Sequence, residues 1–170
     1  MMIDLLITLW RVTGAALLVA LVAPLAWQVA SGDSYMTVTG SSMVPTYLVG
    51  DVLLIRSPDG SELTRKGQIV VVTKSAGDRT QQYVHRVHQP TPDGAVLKGD
   101  NNTAPDPIEV TSSLVLGAPR IALTGTSADI FRFLQSWGGR IITAAIAVPA
   151  FIVPARRRPR AARPGEPRPS

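Results

Sequence analysis

Cysteine is absent from the 170 residues, which excludes disulfides, thiolate metal sites and a thiol nucleophile but leaves the redox compartment open. Histidine is nearly as scarce, with only His85 and His88, so chemistry that needs an imidazole has two candidates. Aromatic residues make up 5% against a hydrophobic share of 45%. The apolar content is therefore aliphatic, and it gathers at the two ends of the chain, as in a membrane protein. Acidic residues are outnumbered 12 to 17 for a formal net charge of +5. Six of the basic residues (Arg156, Arg157, Arg158, Arg160, Arg163 and Arg168) fall in the last fifteen positions, so the middle of the chain is near neutral. A Pro-rich basic tail beside an apolar segment follows the positive-inside rule rather than forming a nucleic-acid-binding face. No nucleic-acid partner is expected.

From Val12 to Ala30 nineteen residues carry no charge, about 28 Å of helix and enough to cross a hydrocarbon core. Pro24 is tolerated in such a span, and Trp10 and Trp27 sit where interfacial aromatics belong. A cleavable signal peptide is the competing reading, with Arg11 before the run and Val29, Ala30 and Ser31 near its end. A second apolar run, Gly138 to Pro154, reaches spanning length only by extending back through Ile130, Phe131, Phe133, Leu134 and Trp137, which brings in Arg132 and Arg140. An interfacial or re-entrant helix is its alternative. With two crossings both termini are cytoplasmic and the middle faces outward.

That middle has period-two patterning broken by turn residues. Tyr35–Val38, Val52–Arg56, Gln68–Thr73, Gln81–His88, Ala95–Lys98 and Leu114–Leu123 read as strands. The expected fold is mainly β, a small antiparallel and partly closed domain flanked by an N-terminal and a C-terminal membrane helix. The expected division is an anchor over 1–31, the β domain over 32–128, a membrane helix over 129–154 and a disordered basic tail over 155–170.

Three stretches can carry chemistry. In Gly40-Ser41-Ser42-Met43-Val44-Pro45-Thr46 a strand runs into small residues and a proline, which exposes a hydroxyl among free backbone N–H groups, although an ordinary turn has the same composition. In the strand Gln81–His88, His85 shares a face with Tyr83 and Val87, whereas His88 shares the other with Val84 and Arg86, so at most one imidazole enters a given site. The loop Lys98–Asp106 supplies two carboxylates, Asp100 and Asp106, either of which could orient a histidine ring or merely close a turn. Ala104 and Pro105 stand where a calcium loop would place donors. No metal and no cofactor is expected.

Taken in order, these segments resemble the type I signal peptidases. Gly40–Thr46 is similar to the family's serine box, Gly50-Asp51-Val52-Leu53-Leu54 and Gly67-Gln68-Ile69-Val70-Val71 to its next two strands, Val84-His85-Arg86-Val87 to its general-base box, and Gly99–Asp106 to its Gly-Asp-Asn-Asn box. The match runs from Tyr35 to Ile121, and five weak signals in register make a specific one. Where most bacterial members have lysine before Arg-Val, this chain has His85, as in the endoplasmic-reticulum and archaeal type also found in some Gram-positive bacteria. The resemblance implies Ser42 as nucleophile, His85 as base, and Asp106 or Asp100 as the third catalytic residue. Asp106 is the position usually assigned, although Pro105 replaces an acid common there. Gly40 stands where many relatives carry an oxyanion-binding serine, so the Ser42 N–H carries more of the charge, with Ser41 as a helper and Met43 lining shallow substrate pockets.

The function implied is removal of signal peptides from exported preproteins after small residues, at the outer face of the plasma membrane. Its partners would be signal-peptide-bearing preproteins, the lipid bilayer and the secretion translocon. Three alternatives stand beside it: a Ser-Lys peptidase using Lys74 or Lys98, a soluble LexA-like self-cleaving repressor, and a membrane-tethered β module that binds exported proteins without cleaving them.

Overall fold

The computed structural model describes residues 2–152. Helix α1 (Met2–Ser31) continues through Pro24 and is apolar on every side. Of its residues only Gly14 is buried, and Leu5, Leu9, Val12, Val19, Val22, Leu25 and Val29 are all exposed. A helix apolar all round, with most of its surface left uncovered by the rest of the chain, has the character of a membrane span or of a signal sequence. Among the described residues it is the one helix long and apolar enough to cross a membrane.

Seven strands follow: β1 (Ser34–Thr37), β2 (Val52–Arg56), β3 (Ile69–Thr73), β4 (Gln82–Pro90), β5 (Gly94–Lys98), β6 (Val110–Thr111) and β7 (Val115–Leu123). They form one antiparallel sheet in the order β1-β2-β7-β3-β4-β5-β6. The six expected strands are present within one or two residues at each end. The two-residue β6 is not among them, because Val110 alone gives no alternation to read.

The sheet coils so that both faces carry a core. On one side Val70, Val72, Val87, Ala95, Leu97, Val110 and Val115 pack together, with Tyr83 against them. On the other Met36, Val38, Met43, Leu53, Ile55, Val71 and Val84 do so. Successive residues of β3 thus enter opposite cores, which is why Val70-Val71-Val72 is an unbroken apolar run instead of an alternating one. The long β7 joins the two halves, pairing with β3 through Gly117 and with β2 from Ala118 onward. Gly117 has φ of 136°, and a Cβ there would fall 1.8 Å from the Arg56 carbonyl oxygen, so only glycine lets the strand pass from one partner to the next.

The C-terminal part departs from the expected single membrane helix over 129–154. Helix α2 (Thr126–Gln135) is followed by α3 (Trp137–Ala147) and α4 (Pro149–Ile152). Ser136 is extended, and its hydroxyl accepts the Gly139 N–H at 3.0 Å, so it stops one helix and caps the next. α2 stays with the β domain, its Phe131 ring tilted against Tyr35 at 4.9 Å between centroids. The sixteen residues Trp137–Ile152 fall short of a full span. They lie along α1 instead: Trp10 Nε1 donates to the Ile146 carbonyl at 3.3 Å, Arg11 Nε to that of Ala150 at 3.1 Å, and Gly14 faces Ala147, Ala150 and Phe151. The basic tail over 155–170 lies outside the described residues.

Candidate active site

The serine turn is fastened from below and behind. The Val38 N–H donates to the Asp51 carbonyl and the Gly50 N–H to that of Val38, both at 2.8 Å, carrying the line of β1 up to the turn. Met43, 1% exposed, drops into the core beneath, and the Tyr47 N–H closes back on its carbonyl at 3.0 Å. With Met43 held inward, its neighbour Ser42 faces the surface. The loop after β5 clamps the turn from the side: the Asn101 N–H donates to the Ser42 carbonyl at 2.7 Å, and Asn101 Nδ2 to that of Ser41 at 3.3 Å.

Against this turn lies His85, only 8% exposed. Its Nε2 is 3.0 Å from Ser42 Oγ, and its Nδ1 is 2.6 Å from Asp106 Oδ2. Because a carboxylate can only accept, Nδ1 carries the proton, and the Nε2 lone pair is left to accept from the Ser42 hydroxyl. Asp106 is itself placed by its own N–H, which donates to the Leu97 carbonyl at 2.8 Å. The Tyr83 ring meets the imidazole edge-on at 5.0 Å, fixing its plane from the side. Burial, and then the Asp106 charge, push the Tyr83 phenol above its usual range, so at neutral pH the ring is a neutral wall.

Gly99 makes this closeness possible. A Cβ there would fall 2.7 Å from the Ser42 carbonyl oxygen and 2.9 Å from His85 Nε2. The sequence marks Gly99 as a turn former, whereas its use here is to leave room for serine and imidazole to meet.

The other predicted acid goes elsewhere. Asp100 takes Arg86 Nε at 2.8 Å on one oxygen and Arg86 Nη2 at 2.7 Å on the other, and the Thr46 hydroxyl adds a third bond at 2.5 Å. The hydrogen bonds from Arg86 hold the Asp100 carboxyl below the ordinary carboxylate range, and Asp100 in turn raises Arg86. Arg86 also donates through Nη1 to the Gly67 carbonyl at 2.8 Å. Asp100 is therefore a brace between strand, loop and serine turn, and the expectation of it on the histidine is corrected. The reason is alternation along β4: Arg86 points to the face opposite His85 and takes the acid nearest it. None of Arg86, Thr46 and Asn101 stands out in the sequence as a site residue, and the signal for each is only its place in the general-base, serine and Gly-Asp-Asn-Asn boxes.

Ser42 borders a cleft of about 120 Å³ formed with Met36, Val38, Gly40, Met43, Tyr83 and Val84. Met43 is thus at once core and floor. A larger hollow of about 390 Å³ lies beyond Tyr83 and touches His85 and Asp106 but not Ser42. Among the described residues the Ser42 N–H has no hydrogen-bond partner, leaving a donor next to the hydroxyl for a developing oxyanion. The Ser41 residue is exposed beside it. Of the two lysines, Lys98 Nζ donates to the Thr103 carbonyl at 3.4 Å, and Lys74 lines the larger hollow. His88 lies at the bulge where β4 shifts its register on β5, away from the serine.

A hydroxyl, an imidazole and a carboxylate in line, set on a coiled antiparallel sheet, are the parts of a serine peptidase. The family model for Peptidase S24-like proteins matches residues 19–118, a stretch that holds Ser42, His85 and Asp106, and the chain belongs to that family. The family includes peptidases of both the signal-peptidase and the LexA type, so membership supports serine peptidase activity without naming the substrate. No curated protein matches the chain.

Proposed function

We propose that this chain is a membrane-anchored serine endopeptidase that removes signal peptides from exported preproteins, cleaving after small residues. The observation that carries the reading is the Ser42–His85–Asp106 line at 3.0 and 2.6 Å beside a cleft of about 120 Å³, on a domain tied to the apolar helix α1. In this scheme His85 Nε2 takes the Ser42 proton as Oγ attacks the carbonyl carbon. The oxyanion is met by the Ser42 N–H, and the same proton passes to the departing amine. Water then attacks the acyl ester, with His85 again as base and Asp106 steadying the imidazolium.

The cleft walls support the position of the substrate. β4 pairs with β5 only from Arg86 onward, so the edge at Gln82–His85 lies open opposite Met36–Gly40, and an extended peptide can enter there as an added strand. α1 then serves as the plasma-membrane anchor with its N-terminal end cytoplasmic and the β domain outside, and α3 and α4, packed back along it as far as Trp10 and Arg11, return the chain towards the cytoplasmic side although they are shorter than a full span. Preproteins, the bilayer and the secretion translocon are the partners that this scheme requires.

The test is cleavage of a preprotein by the full chain in detergent, beside Ser42→Ala, His85→Ala, Asp106→Asn and Asp100→Asn variants. Processing that stops with Ser42→Ala and His85→Ala supports the proposal. Normal processing by His85→Ala would transfer the base role to Lys74 or Lys98, and a well-folded wild type that cleaves nothing would leave a binding module.

A further inference from the structure

Two hollows flank β4, one on each face. The cleft beside Ser42 reaches Val84 and Met43, which pack into the core of Met36, Leu53 and Val71. The hollow of about 390 Å³ reaches Tyr83 and His85, on the face whose core holds Val87 and Leu97. Tyr83 borders both and stands between them. The larger hollow has no part in moving the proton, yet it has the make-up of a binding site. Val110 and Leu114 line it, and Ile108 stands at its edge 73% exposed, an aliphatic side chain left in water two residues after Asp106. Lys74 and Asp106 supply one charge of each sign, so the hollow has no net charge with which to hold an ionised group. A dry cavity of about 150 Å³ already takes a benzene ring, and by that measure there is room here for a large aliphatic or aromatic side chain.

We infer that this hollow is a specificity site for the side chain of the second residue before the cleaved bond, and that it selects a large apolar one. The inference rests on the proposal above that the substrate joins the open edge of β4 at Gln82–His85 as an extended strand. Side chains of such a strand alternate between the two faces of the sheet. With the first and third residues before the bond turned to the cleft on the Val84 side, the second turns to the Tyr83 side. A residue directly opposite Tyr83 stands about 5 Å from it between Cβ atoms, close enough for a long side chain to pass the ring and cover Ile108 and Leu114. An alanine there covers neither. The hollow thus makes a demand on the substrate that the cleft beside Ser42 does not.

The full chain in detergent is given peptides with alanine at the first and third positions before the bond and alanine, leucine or phenylalanine at the second. The value of kcat/KM is expected to rise about tenfold or more from alanine to leucine or phenylalanine. That ratio should fall towards one in Ile108→Trp, a substitution that fills the hollow with an indole, and fall in part in Ile108→Ser, which removes the rim. A flat series in the wild type overturns the site, as does a ratio that both variants leave unchanged. Moving the leucine to the second residue after the bond is the positional control, and an equal gain there would assign the hollow to the other side of the bond and refute the inference. The same peptides, fluorophore-labelled, are titrated against Ser42→Ala with and without Ile108→Trp, and the leucine peptide should bind the more tightly only without it. If the wild type cleaves no peptide, the peptidase reading fails. The hollow then stands if the leucine peptide keeps that advantage in binding and falls if it does not.

Discussion

His85 and Arg86 are neighbours on one strand and do opposite work. Each points to its own side of β4, and each ends on a carboxylate from the same loop: His85 on Asp106 at 2.6 Å, Arg86 on Asp100 through two bonds at 2.7 and 2.8 Å. The histidine side continues to a hydroxyl with a free partner position, which is an arrangement for moving a proton. The arginine side is closed, since Asp100 is taken up by Arg86 and Thr46, and a saturated ion pair has nothing left to exchange with a substrate. Two acids six positions apart are thus divided by strand alternation, one bonded to the imidazole and one to the guanidinium.

Variants on the histidine side should lose rate and keep stability, and here the largest effects are expected. Ser42→Ala and His85→Ala should each lower kcat by about 10⁴-fold or more, with thermal unfolding little changed. Asp106→Asn should follow at about 10³- to 10⁴-fold, because an amide can favour the wrong tautomer of the ring. Preprotein cleavage measured beside unfolding curves checks all three. If Asp106→Asn were as active as wild type while Asp100→Asn was dead, the assignment of the two acids would be reversed.

Gly99→Ala crosses the division between the two sides. The added methyl would push on both the Ser42 carbonyl and His85 Nε2, and a displacement of that order costs about 10²-fold in rate. It should leave substrate affinity close to wild type, so that kcat falls and KM does not. Unaltered kcat would mean that the loop yields and that the closeness of the serine and imidazole is not set there.

Much of this arrangement is legible in the sequence because it is carried by residue types with few other uses. With two histidines on opposite faces of one patterned strand, alternation admits only one imidazole to a given site, and the resemblance to signal peptidases is what points to His85 before Arg-Val and to Ser42 in a turn of otherwise ordinary composition. The strands are readable from alternation except where burial on both faces erases it, as in Val70-Val71-Val72. What local pattern does not contain is which acid meets which base, since that depends on where the loop after β5 folds over. The expected helix over 129–154 fails for a related reason. Apolar content alone reads as one run, but Phe131 is claimed by Tyr35 and Ser136 by the Gly139 N–H. Both are tertiary and capping contacts that divide the run into a domain helix and a segment lying along α1.

The arginine side makes the smallest prediction, and it concerns stability. Asp100→Asn removes the charge from the brace and should lower stability at neutral pH by about 1.5 kcal/mol, the lower end of the range for hydrogen bonds to charged groups because Arg86 is partly exposed, with a lesser loss of rate than Asp106→Asn. The sign of its pH dependence follows from the direction of the shift. Arg86 depresses the Asp100 carboxyl in the folded chain, so the unfolded chain binds the proton more readily, and the brace contributes fully above the ordinary carboxylate value of about 4. That contribution is lost as pH falls through the depressed folded value. Asp59, lowered to about 2 by its bonds from Ser61, and Asp78, lowered by Thr80, lose their own contributions in the same acid range, but they do so equally in wild type and variant and cancel in the difference. The gap in unfolding free energy between wild type and Asp100→Asn should therefore be constant from pH 7 to about pH 5 and shrink below about pH 4. A gap that persists unchanged at pH 3 would mean that the substitution removes something other than charge, and that Arg86 holds the loop by geometry alone.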